Sequence, residues 1–260
     1  MAKKNSGRVL GLALGGGGAR GMAHIGILKA LEKADIQFNV VTGTSVGSLV
    51  GALTAAGRSA AEIEEAARDI AWSDLASIAV PKLGLVKSKK LEETLERLIG
   101  SDDIQSLKMP YAAVATDIVT AEEVVFTEGL VAKAVRASCS VPVVFEPIKV
   151  RDRLCVDGGL VNEVPGDVAR QLGADVVISV DLNADRKRNT PPSNLIDVLF
   201  YSLNILVAGT SQAGRTSADI RLEPDLQGFG YADLDRIDEA VERGERVVEE
   251  HLQEIHALLE

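Results

Sequence analysis

Short runs of β-branched and apolar residues alternate along this chain with longer stretches of helical periodicity. That alternation marks βαβ units, in which each strand is followed by a crossover helix and a parallel strand. "RVLGLAL" (8–14), "FNVVT" (38–42) and "ADVVISVDL" (174–182) read as central strands, because strands covered on both faces are continuously apolar. "ARGMAHIGILKALEKA" (19–34) and "VGSLVGALTAA" read as the helices that follow the first two. A polar helix over about 59–70, an irregular stretch over 72–90 and an amphipathic helix over 91–100 come next. "YAAVATDI" and "EEVVFTEG" pair as strands, and a helix over 130–140 stops before Pro142. Two further strands turn at Arg151 to Arg153 and end at Asp157, and "ADIRLEPDL" is the last strand. From Leu234 onward, Ile237, Val241, Val248, Leu252, Ile255 and Leu259 form one helical stripe. The pattern predicts an α/β fold, a three-layer α/β/α arrangement on a mostly parallel sheet. It predicts one domain over 1–260, with its motifs within about 9–225 and an amphipathic helix over 234–260.

Composition removes several function classes. With 260 residues and 46% hydrophobic content, the chain can bury one large core. A formal net charge of −10 and only 3% aromatic residues argue against binding nucleic acid. Cys139 and Cys155 lack metal-ligand spacing and suit a reduced, cytoplasmic protein. The basic "MAKKNSGR" leads to an apolar run too short for a signal peptide or a membrane span. "VLFYSLNILVAG" is broken by Ser202 and Asn204 and does not span a bilayer either. "NADRKRNTPPSN" reads as a surface loop.

Two glycine-rich turns carry the chemistry. Gly16-Gly17-Gly18-Ala19-Arg20-Gly21 fits a dinucleotide fingerprint, but that use needs an acidic residue at the end of the second strand, where Val41-Thr42-Gly43 stands. The same glycines can converge successive N–H groups on an oxyanion at a helix N-terminus, or serve strand–helix packing alone. Arg20 either adds positive charge to such a site or is solvated at the helix start. Gly43-Thr44-Ser45-Val46-Gly47 matches the nucleophile elbow, a turn so tight that side chains two before and two after the serine would clash.

A serine hydrolase ordinarily uses a histidine base. Of the three here, His24 sits in the first helix like a packed residue, and His251 and His256 flank the C-terminal stripe. The remaining candidate is Asp157 in "LCVDGGL", where Gly158 and Gly159 let the chain turn closely; Asp-Gly is also a preferred hairpin pair. At an ordinary pKa of ~4 a carboxylate is a poor base for a hydroxyl, so Asp157 needs direct contact and a water-poor site.

The ordered blocks Gly16 to Gly21, Gly43 to Gly47, "ASCSVPVVFEP" (137–147) and Asp157-Gly158-Gly159 resemble the patatin-like phospholipases. The branch resembled is the short bacterial proteins similar to the catalytic domain of neuropathy target esterase. The resemblance covers roughly 9–225 and implies a patatin-like fold and hydrolysis of acyl esters in phospholipids or lysophospholipids. It implies catalytic Ser45 and Asp157, oxyanion-hole residues Gly16, Gly17 and Gly18, and supporting Arg20, Gly21, Gly43, Gly47, Gly158 and Gly159. Neither a cofactor nor calcium or another metal is implied. Four consecutive glycines from Gly15 leave the register of the hole open by one residue. "WSDLASIAVPKLGLV" and "VLFYSLNILVAG" are candidate walls for the acyl chain, with ordinary core the favoured reading of the second. Lys82, Lys87, Lys89 and Lys90 could hold the protein weakly and peripherally at an anionic membrane, or be solvated. Partners beyond a lipid or small ester, and the number of subunits, are not specified. A non-catalytic adaptor that keeps the fold stays open as the alternative.

Overall fold

A computed structural model describes residues 7–68, 77–78, 86–87, 89–99, 102–184, 191–192, 195–207, 214 and 216–260. Its strands are β1 (Leu10–Leu14), β2 (Val40–Thr44), β3 (Ser77–Ile78), β4 (Val86–Lys87), β5 (Tyr111–Asp117), β6 (Glu123–Phe126), β7 (Ile148–Val150), β8 (Arg153–Asp157), β9 (Val176–Val180) and β10 (Ile220–Leu222). Eight of them form one sheet of order β10-β9-β1-β2-β5-β8-β7, with β6 on β5, while β3 and β4 pair separately. β1, β2, β5 and β9 are buried throughout, in keeping with their largely apolar sequences. β10, β9, β1, β2 and β5 run parallel, whereas β6 and β8 run antiparallel to β5, and β7, antiparallel to β8, returns to the direction of the parallel strands. The sheet is thus mostly parallel, as expected, with β6 and β8 as its antiparallel members. The tight β7–β8 connection at Arg151 (φ 54°) makes that pair antiparallel, since a hairpin forces antiparallel pairing where a crossover would not.

The helices are α1 (Met22–Lys33), α2 (Val46–Ala55), α3 (Ala60–Arg68), α4 (Lys89–Ile99), α5 (Val131–Ser138), α6 (Gly166–Gln171), α7 (Leu195–Val207) and α8 (Ile237–Leu259). Alternation along the strands divides the core between two sheet faces. Leu10, Leu12, Leu14, Ala113 and Ala115 join the large cluster with α1, α2, α3, α5 and α8. Ala13, Ala112 and Val114 face the other way, against Val168 and Ala169 of α6. The three layers are thus unequal, with one heavily covered face and one thinly covered face. Leu10–Leu14 begins later than the strand read from Arg8, and the second strand runs on to Thr44, directly against Ser45. Gly18–Gly21 forms a 3-10 turn ahead of α1 rather than its first turn. The side chains of Lys82, Lys87, Lys89 and Lys90, and all of "WSDLASIAVPKLGLV" except short strand segments, lie outside the described residues.

One feature of the pairing sets the site. β2 pairs with β5 up to Thr44↔Val114, and β8 pairs with the next residues of β5, beginning at Asp157↔Ala115. β6 pairs along Ala113 to Thr116, so β2 and β8 share the opposite edge of β5. The end of β2 and the end of β8 consequently point at each other. Two residues more than a hundred apart in sequence are brought together by adjacent rungs of one strand.

Candidate active site

Ser45 stands where β2 becomes α2, with φ 54° and ψ −129°. For a residue with a Cβ that is a strained conformation, costing about 1–3 kcal/mol and retained where its surroundings over-determine it. The surroundings are visible. A Cβ on Gly43 would stand 2.3 Å from the Gly47 carbonyl oxygen, and one on Gly47 would stand 2.2 Å from that of Leu14. Ser45 N–H donates to Ser138 Oγ (2.8 Å), whose own hydroxyl donates to the Val114 carbonyl (2.6 Å). Ser138 therefore ties the turn to β5. Gly21 lies against Val46 at the start of α2, whose N-terminal dipole points at the same place.

Asp157 ends β8 and caps a 3-10 turn, Gly158–Leu160, instead of turning a hairpin. Its amide donates to the Ser140 carbonyl (2.9 Å), and its carbonyl accepts from Thr116 Oγ1 (2.9 Å). Gly158 passes against the Val114 backbone, and the Gly159 amide donates to Asp157 Oδ1 (2.8 Å). Burial pushes the carboxyl pKa up to about 6, while the neighbouring Ser45 hydroxyl and the Gly159 amide act to lower it. The hydroxyl is near enough for that influence, yet the hydrogen bond is not closed, because the buried Oδ2 has no partner among the described residues. Contacts of this kind are commonly slack without substrate.

The glycine loop follows β1. Gly15 and Gly16 N–H groups donate to the carbonyls of Val180 (3.0 Å) and Glu163 (3.1 Å), so neither is free for another acceptor. Among the described residues the amides of Gly17 and Gly18 have none. Gly16 and Gly17 line the cavity that holds Ser45 and Asp157; Gly18, at φ 57°, turns against Tyr231. Arg20 is buried and bonds the carbonyl of Phe229 (3.0 and 2.6 Å) and Asn183 Oδ1 (3.2 Å), with Tyr231 stacked beneath it. It is thus neither solvated nor turned to the site, and it holds the loop in place. His24 is also buried. Its Nε2–H donates to the Gly15 carbonyl (2.8 Å), and burial pushes its pKa down to about 4, so the ring stays neutral and supports the loop. His251 bonds the Val247 carbonyl (2.8 Å), within its own helix.

Several positioning residues escaped the sequence. Asn183 Nδ2 donates to the Gly16 carbonyl (3.1 Å) and Glu163 Oε1 (2.8 Å), linking the end of β9 to the loop after β1. Arg136, buried in α5, bonds Ser140 Oγ and the Glu146 carbonyl, fixing the segment on which the Asp157 amide leans. The available signal for Ser138 and Ser140 was the "ASCS" block, which names a place but no partner. Cys139, between them, is held protonated: burial, with the nearby Asp157 charge, pushes its pKa up to about 12.

The cavity has a volume of about 40 Å³, room for a few waters but far less than an acyl chain requires. Besides the groups named above, Val141, Pro142, Leu160, Phe200 and Leu203 form its apolar walls. Phe200 and Leu203 belong to α7, so the segment read as ordinary core instead roofs the site. Chemically, the arrangement offers, around one small space, a strained hydroxyl, a buried carboxyl of raised basicity and the Gly17 amide, which has no partner among the described residues.

A family model described as "Patatin-like phospholipase" matches residues 12–170. The chain is 37% identical over 193 residues to mouse "Patatin-like phospholipase domain-containing protein 6", covering 71% of this chain and 14% of that one. It is 30% identical over 279 residues to "Uncharacterized NTE family protein Mb2594" of Mycobacterium bovis, covering 97% of this chain and 48% of the relative. It thus spans about half or less of the length of these relatives. Among solved structures it resembles VipD from Legionella pneumophila, with TM-score 0.61 at 12% identity over 95% of this chain and 67% of that one. That likeness is one of fold.

Proposed function

Since the chain belongs to the patatin-like phospholipase family, we propose that it is a serine acyl hydrolase that cleaves carboxylic esters of phospholipids or lysophospholipids. Ser45 is the nucleophile, Asp157 its base, and the Gly17 and Gly18 amides form the oxyanion hole. Gly16 lends its carbonyl and amide to anchoring that loop. The observation that carries the reading is Ser45 at φ 54° on a strand-to-helix turn, beside a buried carboxyl whose Oδ2 has no partner among the described residues.

In the first half-reaction, Asp157 Oδ2 accepts the Ser45 hydroxyl proton as Oγ forms its bond to the ester carbonyl carbon. The carbonyl π electrons move onto oxygen, and the two backbone amides meet that charge, each worth ~10²–10³ in rate. Collapse breaks the bond to the alkoxide, which takes the proton back from Asp157. In the second half-reaction water gives a proton to the same carboxylate and its oxygen attacks the acyl-enzyme. Release of the fatty acid returns the proton to Ser45. No histidine is required, in keeping with His24 being neutral and turned to the Gly15 carbonyl.

Hydrolysis of p-nitrophenyl butyrate and of a lysophospholipid is the direct test. Ser45→Ala and Asp157→Asn should each abolish turnover, and a fluorophosphonate should label Ser45 alone. Wild-type rates in both variants, or labelling at a different serine, would overturn the assignment.

A further inference from the structure

Helix α7 has two apolar faces, and among the described residues only one of them is packed. Inward, Phe200 and Leu203 line the Ser45 cavity, with the Phe200 ring stacked 4.2 Å from that of Tyr231. Outward, Leu195, Val198, Ile205 and Leu206 are 73%, 45%, 76% and 71% exposed. Their spacing, with Ser202 between them, puts all five on one side of the helix. Together the four apolar side chains bare an area on the order of 500 Å², as large as the biggest patch a soluble monomer ordinarily leaves uncovered. The polar group on this face is also neutralised: Ser202 Oγ donates to the Val198 carbonyl (2.8 Å) in its own helix, so an apolar medium would strand no donor.

A second stretch of the cavity wall also ends in an exposed apolar residue. Val141 and Pro142 line the interior, and the next residue, Val143, is 55% exposed at φ 71°. A β-branched residue in that conformation is strained, and here the strain displays an apolar side chain beside the opening.

We propose that the outer face of α7, together with Val143, docks on a neutral or zwitterionic lipid surface and presents the cavity to it. Charge selects that occupant. The described outward positions carry none, the helix's one carboxylate, Asp197, is buried, and the chain as a whole has a formal charge of −10. An anionic bilayer would repel the net charge of −10, and the described outward positions of α7 offer no cation to offset it. This docking face rests on the ester-hydrolase reading for its purpose, though not for its measurement. It also explains how a site too small for an acyl chain is served: contact with lipid gives the outer residues of α7 an apolar medium, and the helix can shift with Phe200 and Leu203.

Flotation with phosphatidylcholine vesicles tests it. Wild type should float with vesicles, with less than about a twofold change between low and high salt. Ile205→Glu/Leu206→Glu, and the milder Ile205→Ser/Leu206→Ser, should lower partitioning by about tenfold or more. Both should keep turnover of dissolved p-nitrophenyl butyrate, which shows that they are folded. Ser45→Ala should float like wild type, so loss of the hydrolase reading would leave this result untouched. The proposal is overturned if the double variants float as wild type does. It is equally overturned if only anionic vesicles bind, or if wild type is a dimer that the variants convert to monomer without any vesicle binding, which would assign the face to a second copy.

Discussion

Burial raises the Asp157 carboxyl to a pKa of about 6, against the Ser45 hydroxyl and the Gly159 amide, which act to lower it. The rise answers the objection that an aspartate is too weak a base for an alcohol, because each unit of pKa strengthens it tenfold as an acceptor. Only the ionised form can take the proton. We therefore expect kcat/KM on a dissolved ester to climb about tenfold per pH unit below 6 and to level off above it. A flat profile between pH 4 and 7 would remove Asp157 as the base. Stability moves the opposite way. The folded state holds the proton more tightly than the unfolded chain, whose value is 3.8, so stability falls as pH rises from about 4 to about 6. Above that range the ionised carboxylate destabilises the fold by about 2–3 kcal/mol. Asp157→Asn, which keeps an acceptor for the Gly159 amide, should be inactive yet more stable than wild type at pH 8. Urea unfolding should show that gain vanishing below about pH 4.

At the scale of single elements, the β2–α2 turn is held from two directions, by backbone crowding at Gly43 and Gly47 and by Ser138 on α5. Removing the Ser138 hydroxyl leaves both the Ser45 amide and the Val114 carbonyl buried without their shared partner. Ser138→Ala should cost about 1–3 kcal/mol. Because the freed amide belongs to the proposed nucleophile itself, kcat should fall about tenfold or more with KM for a small ester little changed. Unaltered kcat alongside the loss of stability would make Ser138 a packing residue only. This contrast also explains what the sequence made legible. The elbow and the Asp157 turn are local, so Gly43, Ser45, Gly47 and Asp157-Gly158-Gly159 could be read from spacing. Ser138, Asn183 and Arg136 act across strands that meet only after folding, and a hydroxyl or amide at such a position carries no periodicity of its own. Arg20 misled for a related reason. A cation after a glycine loop suggests an anion, and nothing nearby in sequence announces the Phe229 carbonyl that takes it.

For the whole molecule, the C-terminal helix is part of the apparatus rather than an appendage beyond the motif-bearing region. The apolar stripe from Ile237 was legible, but the contact at its centre was not, because it is made by residues without side chains. A Cβ on Gly26 of α1 would lie 1.9 Å from the Val241 carbonyl oxygen, and one on Gly244 of α8 would lie 2.1 Å from that of Ala23. The two helices touch backbone to backbone, each glycine admitting the other's carbonyl. Ala23 precedes His24, whose ring holds the Gly15 carbonyl at the start of the glycine loop. A displacement of α1 is thereby carried to the proposed oxyanion donors along a short covalent and hydrogen-bonded path. Gly244→Ala should destabilise by about 1–3 kcal/mol through overpacking, seen as a fall in Tm of about 2–10 °C for a chain of this size. Gly26→Ala should do the same, and the double variant should lose less than the two losses added, since both push on one interface. Near neutral pH and well below Tm, each folded variant should turn over a dissolved ester more slowly while its acid limb stays at about pH 6, because the loop moves and Asp157 does not. A limb displaced together with the rate would mean that the helix pair acts on the carboxyl instead of on the glycine loop.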